Sequence, residues 1–250
     1  MKNIVKRRGA RGLVFVGIVG ALTLGLAAQA SACVCPQLPP TVKGGLAKQA
    51  NPNNTITTSA SVAPNEAVVV SLATGTFAGD VTCSDNTGPS GYSNVIDRNV
   101  GSGRLVVCVK PAGHAPVTSV TATYPGFSGL SVIQVVGIQN VLAPVARTSG
   151  SGSYPTVDSG TITNIGTDNL LFGVVYNTNT ATFSPDSGWT ALANQDGGAG
   201  AGRRNLTAAY RFTSGPPADY ALKGTPPAHG LTGSGFWSAA IIQFPLTSCN

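Results

Sequence analysis

The chain reads as an all-β, jelly-roll-like antiparallel β-sandwich, a single domain after a signal peptide. Three observations predict this. Short runs rich in Val, Ile, Thr and aromatic residues recur between Gly/Pro/Asn turns; no stretch sustains a helical period; and the Leu-Glu-Lys composition of helices is absent, Glu66 being the single glutamate.

The first residues form a leader. Lys2, Lys6, Arg7, Arg8 and Arg11 precede the apolar run Leu13–Ala28, and Ala30-Ser31-Ala32 follows. Basic, apolar and then small residues are the layout of a bacterial-type secretory signal, so residues 1–32 are read as a signal peptide. The apolar run is shorter than the roughly 20 residues of a membrane span. Cys33 directly after Ala32 permits lipidation, although the leucine expected three places earlier is missing. Membrane attachment is therefore expected only if Cys33 is lipidated or the leader stays uncut. The expected location is secreted or cell-surface.

The leader holds five of the 15 basic residues and none of the nine acidic ones, which leaves the remainder at +1. The basic balance thus belongs to targeting, and no nucleic-acid partner is expected. Arg203-Arg204, the one doubled basic pair after the leader, is read as a solvated turn.

Residues 33–53, rich in Pro, Gly and Asn, read as a tether. The sandwich is placed at 54–246 and a short tail at 247–250. Within the sandwich the expected strands are Thr55–Val62, Glu66–Thr74, Arg104–Lys110, Val117–Tyr124 and Leu130–Ile138. After the polar loop "ARTSGSGSYPT" come Asp158–Gly166, Asn169–Asn177, Gly188–Asn194, Asn205–Thr213, Asp219–Thr225 and Phe236–Phe244. That loop leaves open a division into two domains near Ala146–Tyr154. In Asn205–Thr213 the apolar residues alternate, as in a half-buried strand. "FWSAAIIQF" is apolar on both faces, which predicts a central strand covered from both sides.

Five cysteines are an odd number for an exported chain. Cys83 and Cys108 lie in two strand-like runs separated by turns, and a disulfide between them is expected. Cys249 is available to pair with Cys35 or Cys33, and the cysteine left over is lipidated, linked to another chain or free. The Cys33-x-Cys35 spacing is too short for a metal site, so no metal and no cofactor are expected.

The succession of "VTSVTATYPGFSGLSVIQVVGI", "SGTITNIGTDNLLFGVVYNTNTATFSPDSGWTALA", "LTAAYRFTSGPPADYALKGT" and "GFWSAAIIQF" resembles a group of exported jelly-roll sandwich domains. The matching positions are Asp168/Asn169-Leu170-Leu171-Phe172-Gly173, Gly188-Trp189-Thr190, Ala209-Tyr210-Arg211 and Trp237–Phe244. The resemblance runs from about Glu66 to Phe244 and implies one continuous jelly roll. It implies no general activity, because the matched residues look like packing positions.

Catalytic constellations find little support. "GFSG" (126–129) is one residue short of a nucleophile elbow, and His114 and His229 sit in Pro/Gly loops. Asp80, Asp97, Asp158, Asp168, Asp186, Asp196 and Asp219 are scattered among turns, where Asx-turn formation accounts for them. Asp80, Asp85 and Asp97 match no calcium-loop spacing. Trp189, Tyr210, Phe212, Phe236 and Trp237 are expected in the core, and Tyr92, Tyr154 and Tyr220 at the surface. The expectation is a non-enzymatic exported sandwich with a structural or surface-interaction role, its partner a cell-surface glycan or protein. The alternative is a carbohydrate-binding accessory module, and a third reading is a hydrolase with an unrecognised site.

Overall fold

Alternating and doubly apolar runs fold as strands, and the described residues form strands and no helix: β1 (Thr41–Gln49), β2 (Thr55–Val62), β3 (Glu66–Gly75), β4 (Thr82–Asp85), β5 (Ser93–Val100), β6 (Gly103–Lys110), β7 (Val117–Thr123), β8 (Leu130–Gln139), β9 (Ala146–Ser153), β10 (Val157–Asn164), β11 (Asn169–Asn177), β12 (Ser184–Pro185), β13 (Thr190–Ala191), β14 (Gln195–Asp196), β15 (Asn205–Thr213), β16 (Ala218–Thr225) and β17 (Phe236–Pro245). The computed structural model describes residues 36–49, 54–76, 79–125, 130–164, 168–178, 183–197, 203–225 and 235–247. The expected signal peptide, Cys33, Cys35, Cys249, "GFSG" and His229 lie outside them.

Four antiparallel sheets stack in the order β2-β7-β4, then β1-β8-β3-β6-β5, then β9-β17-β11-β15-β13, then β10-β16-β12. Three apolar layers glue the stack. Ile56, Val120 and Ala122 of the first outer sheet meet Val68, Val70, Leu72, Val106 and Val135 of its inner sheet. The two inner sheets meet through Val69, Leu105, Val107, Val132 and Val136 on one side and Leu170, Phe172, Tyr176, Ala208, Ile242 and Phe244 on the other. Leu171, Val175, Trp237, Ala239 and Ile241 then face Val157, Ile162 and Leu222 of the second outer sheet, with Phe183 just before β12.

The strand order repeats. β1-β8-β3-β6-β5 over β2-β7-β4 has the connectivity of β9-β17-β11-β15-β13 over β10-β16-β12, strand for strand, with β14 an extra partner of β15. The antiparallel sandwich is therefore doubled inside one compact unit, residues 32–250. The expected antiparallel β-sandwich is present, and within it one strand order occurs twice, in β1–β8 and again in β9–β17. Matching registers support the equivalence. Gly44 of β1 pairs with Val135, which pairs with Val70; Gly150 of β9 pairs with Ala239, which pairs with Val175. At Gly44 a Cβ would lie 2.1 Å from the Ser59 carbonyl oxygen, and at Gly150 it would lie 2.1 Å from that of Asp158. In both copies an inner edge strand crosses its outer neighbour too closely for any side chain.

Strands buried on both faces explain the doubly apolar runs. Phe236, Ala240, Ile242 and Phe244 of β17 face the central layer, and Trp237, Ala239 and Ile241 the second outer one. β17 pairs with β11 and β9, the central position its composition predicts.

Several segments depart from expectation, among them β5 (Ser93–Val100), which no expected strand covers. The tether contains β1, held to β8 along its length, because backbone pairing needs no apolar pattern at a sheet edge. The polar loop is β9, an edge strand of Gly, Ser and Thr laid against β17. The run Gly188–Asn194 supplies only the two-residue β13, which pairs with β15.

Candidate functional site

Each outer sheet has three strands and covers a wider inner sheet, so part of each inner sheet is left to loops. In the second half this leaves an open groove of about 380 Å³. Its walls come from the turn after β12 (Asp186, Ser187, Trp189), the end of β15 (Arg211) and β16 (Asp219, Tyr220, Lys223).

Local chemistry fixes each wall. The turn closes with the Asp186 amide donating to the Lys223 carbonyl at 2.9 Å. Gly188 takes φ +88°, a backbone conformation costly for a side chain. A Cβ there would lie 2.6 Å from Nη1 of Arg211, so glycine leaves room for the guanidinium. That guanidinium stands 4.8 Å over the Tyr220 ring, a cation–π contact. Trp189 forms the floor, its indole Nε1–H donating to the Ala221 carbonyl at 3.2 Å. The Thr163 hydroxyl donates to Oδ1 of Asp219 at 2.7 Å. Lys223 and Asp158 pair at 3.1 Å with both side chains about half exposed, an ion pair of small energetic weight.

The corresponding corner of the first half is plugged. After β4, the Asn86 side chain accepts from the Thr118 amide at 2.7 Å and donates to the Pro116 carbonyl at 3.2 Å. Behind it Asp85, its side chain fully buried, accepts from Lys110 Nζ at 2.8 Å, from the Tyr92 hydroxyl at 3.1 Å and from the Thr87 amide at 2.8 Å. Burial pushes the Asp85 carboxyl up, but the Lys110 and Thr87 bonds outweigh it and hold the group below its ordinary value. Burial and the Asp85 charge push the Tyr92 phenol up. A second cavity of about 370 Å³ opens beside this network, lined by Asp80, Thr82, Pro89, Tyr92 and Asn94. Two of its polar groups are turned to the scaffold: Asn94 donates to the Val81 carbonyl at 2.7 Å, and Tyr92 lies under Lys110.

The expected disulfide is present and buried, Cys83 of β4 to Cys108 of β6, with Cα atoms 6.4 Å apart. It joins the first outer sheet to its inner sheet. Asp80, Asp85 and Asp97 do not converge: Asp85 is held by Lys110, and Asp97 takes a bidentate contact from Arg104, both bonds 2.6 Å. Among the described residues no group of three His, Cys, Asp or Glu could hold a metal ion. Arg204, expected in a solvated turn, is buried near Tyr124 and Tyr176. There burial pushes both phenols up and the Arg204 charge opposes it.

Of the tyrosines expected at the surface, Tyr92 and Tyr154 are half-buried and pack against the fold. Tyr220 alone lines the open groove. Trp189, expected in the core, is mostly buried there yet also forms the groove floor. Sequence reasoning missed Arg211 and its stacking on Tyr220, which pairs with Ile162 of β10. The signal was the "DSGW" turn, whose glycine precedes the tryptophan.

Comparison with protein-family models, with curated proteins and with solved structures gave no match. No helix among the described residues is long and apolar enough to cross a membrane, and the buried disulfide is consistent with an extracytoplasmic protein.

Proposed function

We propose that the chain is an exported, non-enzymatic β-sandwich module with a structural or surface-interaction role, secreted or held at the cell surface. The observation that carries this reading is where the acidic groups go. Five of the nine carboxylates (Glu66, Asp85, Asp97, Asp158 and Asp196) form ion pairs with Lys43, Lys110, Arg104, Lys223 and Arg203. Glu66 and Asp85 are buried as well, and both are held ionised by donors around them. Acid–base catalysis needs carboxylates able to exchange protons near the working pH, whereas Glu66 and Asp85 are committed to donors of the scaffold. The covalent tie between layers fits a protein built to persist outside the cell.

Surface labelling of intact source cells with a membrane-impermeant amine reagent, followed by intact-mass measurement without reductant, tests this reading. The expected result is a labelled protein that has lost residues 1–32 and carries at least one disulfide. A protein found only inside cells overturns it. So does turnover of an ester or glycoside that disappears on replacing one Asp or His.

A further inference from the structure

We propose that the groove between the β12–β13 turn and β16 binds a neutral saccharide, one pyranose-sized ring of a glycan. This inference rests on the surface-interaction reading above and specifies its ligand.

Charge balance chooses the chemistry. Asp186 and Asp219 face the same space as Arg211 and Lys223. An anionic ligand would meet two carboxylates, and a cationic one would meet a guanidinium and an ammonium. A ring of uncharged hydroxyls suits both sets, donating to the carboxylates and accepting from the cations. Charge-assisted hydrogen bonds of this kind are the stronger ones. The apolar C–H face of such a ring has Trp189 and Tyr220 to lie against. The volume of about 380 Å³ falls at the small end of ligand sites, right for one or two rings.

The walls are also set before a ligand arrives. Tyr220 is braced by Arg211, Trp189 is anchored through its N–H, and Asp219 is oriented by Thr163 through one of its two oxygens. Little side-chain freedom would be lost on binding, which removes one of the costs that association carries. The groove is no automatic product of the fold, because Asn86 stitches the equivalent corner of the first half shut.

The test uses the full exported chain and the methyl glycosides of glucose, galactose, mannose and N-acetylglucosamine. Glucuronate and galacturonate serve as anionic counterparts. Saturation-transfer NMR and calorimetry report binding. At least one neutral glycoside should bind, and the uronates should bind more weakly. Asp186→Asn keeps the side-chain shape but removes the charge, and should weaken binding about tenfold. Tyr220→Ala should abolish it. Gly188→Ala removes no polar group yet displaces Arg211, and should weaken binding too. Thr57→Ala, on the opposite outer sheet, should change nothing, with near-ultraviolet circular dichroism reporting the fold of each variant. The inference is overturned if no neutral glycoside binds, if the uronates bind better, or if Asp186→Asn and Gly188→Ala both leave affinity intact. Failure of binding by a protein still labelled on intact cells removes this inference alone. An intracellular protein removes the reading beneath it.

Discussion

The two halves share a strand order and differ in how they are held. The first half (β1–β8) fills its layers mostly with aliphatic residues and locks its two sheets with a disulfide and the buried Lys110–Asp85 ion pair. The second half (β9–β17) contributes the aromatic side chains Phe172, Tyr176 and Phe244 to the shared central layer. Apart from Arg204, its buried polar groups are neutral. Asn169 and Gln243 both donate to the Asn164 side-chain oxygen, at 2.7 and 2.9 Å, and Asn164 donates to the Thr213 hydroxyl at 3.0 Å. One topology therefore tolerates two solutions to the same problem. The half with the disulfide and the buried Lys110–Asp85 pair has this corner stitched shut, and the half whose ion pairs are partly exposed keeps it open.

The largest expected effect comes from breaking the ionic lock. Lys110→Met leaves Asp85 charged and buried without its cation, which should cost about 3–5 kcal/mol in denaturant unfolding. Adding Asp85→Asn to it should recover a large part of the loss. A loss no greater than that of an exposed lysine would mean that the two halves are not held differently.

Removing the covalent lock comes next. Replacing Cys83 and Cys108 together by alanine opens the loop set by their separation of 25 residues and should lower stability by about 3 kcal/mol. Because the halves share the central layer, both tryptophans, which lie in the second half, should report this loss in the same transition as far-ultraviolet dichroism. Separate transitions would show that the halves melt independently.

The smallest effect is in the pH dependence. Bonds to Lys43, Ala63 and Gln139 outweigh burial at Glu66, as those to Lys110 and Thr87 do at Asp85. Both carboxyls thus sit below their ordinary values of 4.5 and 3.8. A depressed folded value means that each group's stabilisation is complete above its ordinary value and drains away as the pH falls below it. Stability should therefore decline in that acid range, and Glu66→Gln should flatten the decline. Asn164→Asp should make the acid range matter in the second half, where the native amides do not titrate. Thermal unfolding at stepped pH measures both.

The sequence made the strands readable where both faces are apolar, as in β3, β6, β8, β11 and β17, and it paired Cys83 with Cys108 correctly. It hid the edge strands. β1 and β9 carry Gly, Ser, Thr and Lys, because an edge strand needs only backbone hydrogen bonds on one side. It also hid the doubling. The two copies match in register and connectivity while their side chains differ, Cys108 standing where the second half has Thr207. The groove was legible only in pieces. Trp189 and Tyr220 lie 31 residues apart, and only the bending of β12 toward β16 brings them together.

Gly44 and Gly150 bear on how freely this protein can vary. Both are only half-buried, and a residue so placed would ordinarily drift from one small side chain to another without consequence. Here a carbonyl oxygen of the crossing strand occupies the place of the missing methyl group. Even alanine would force two sheets apart at the corner where they are tied. These two outlying positions are therefore among the least mutable in the chain, and a library of random variants should return them almost unchanged.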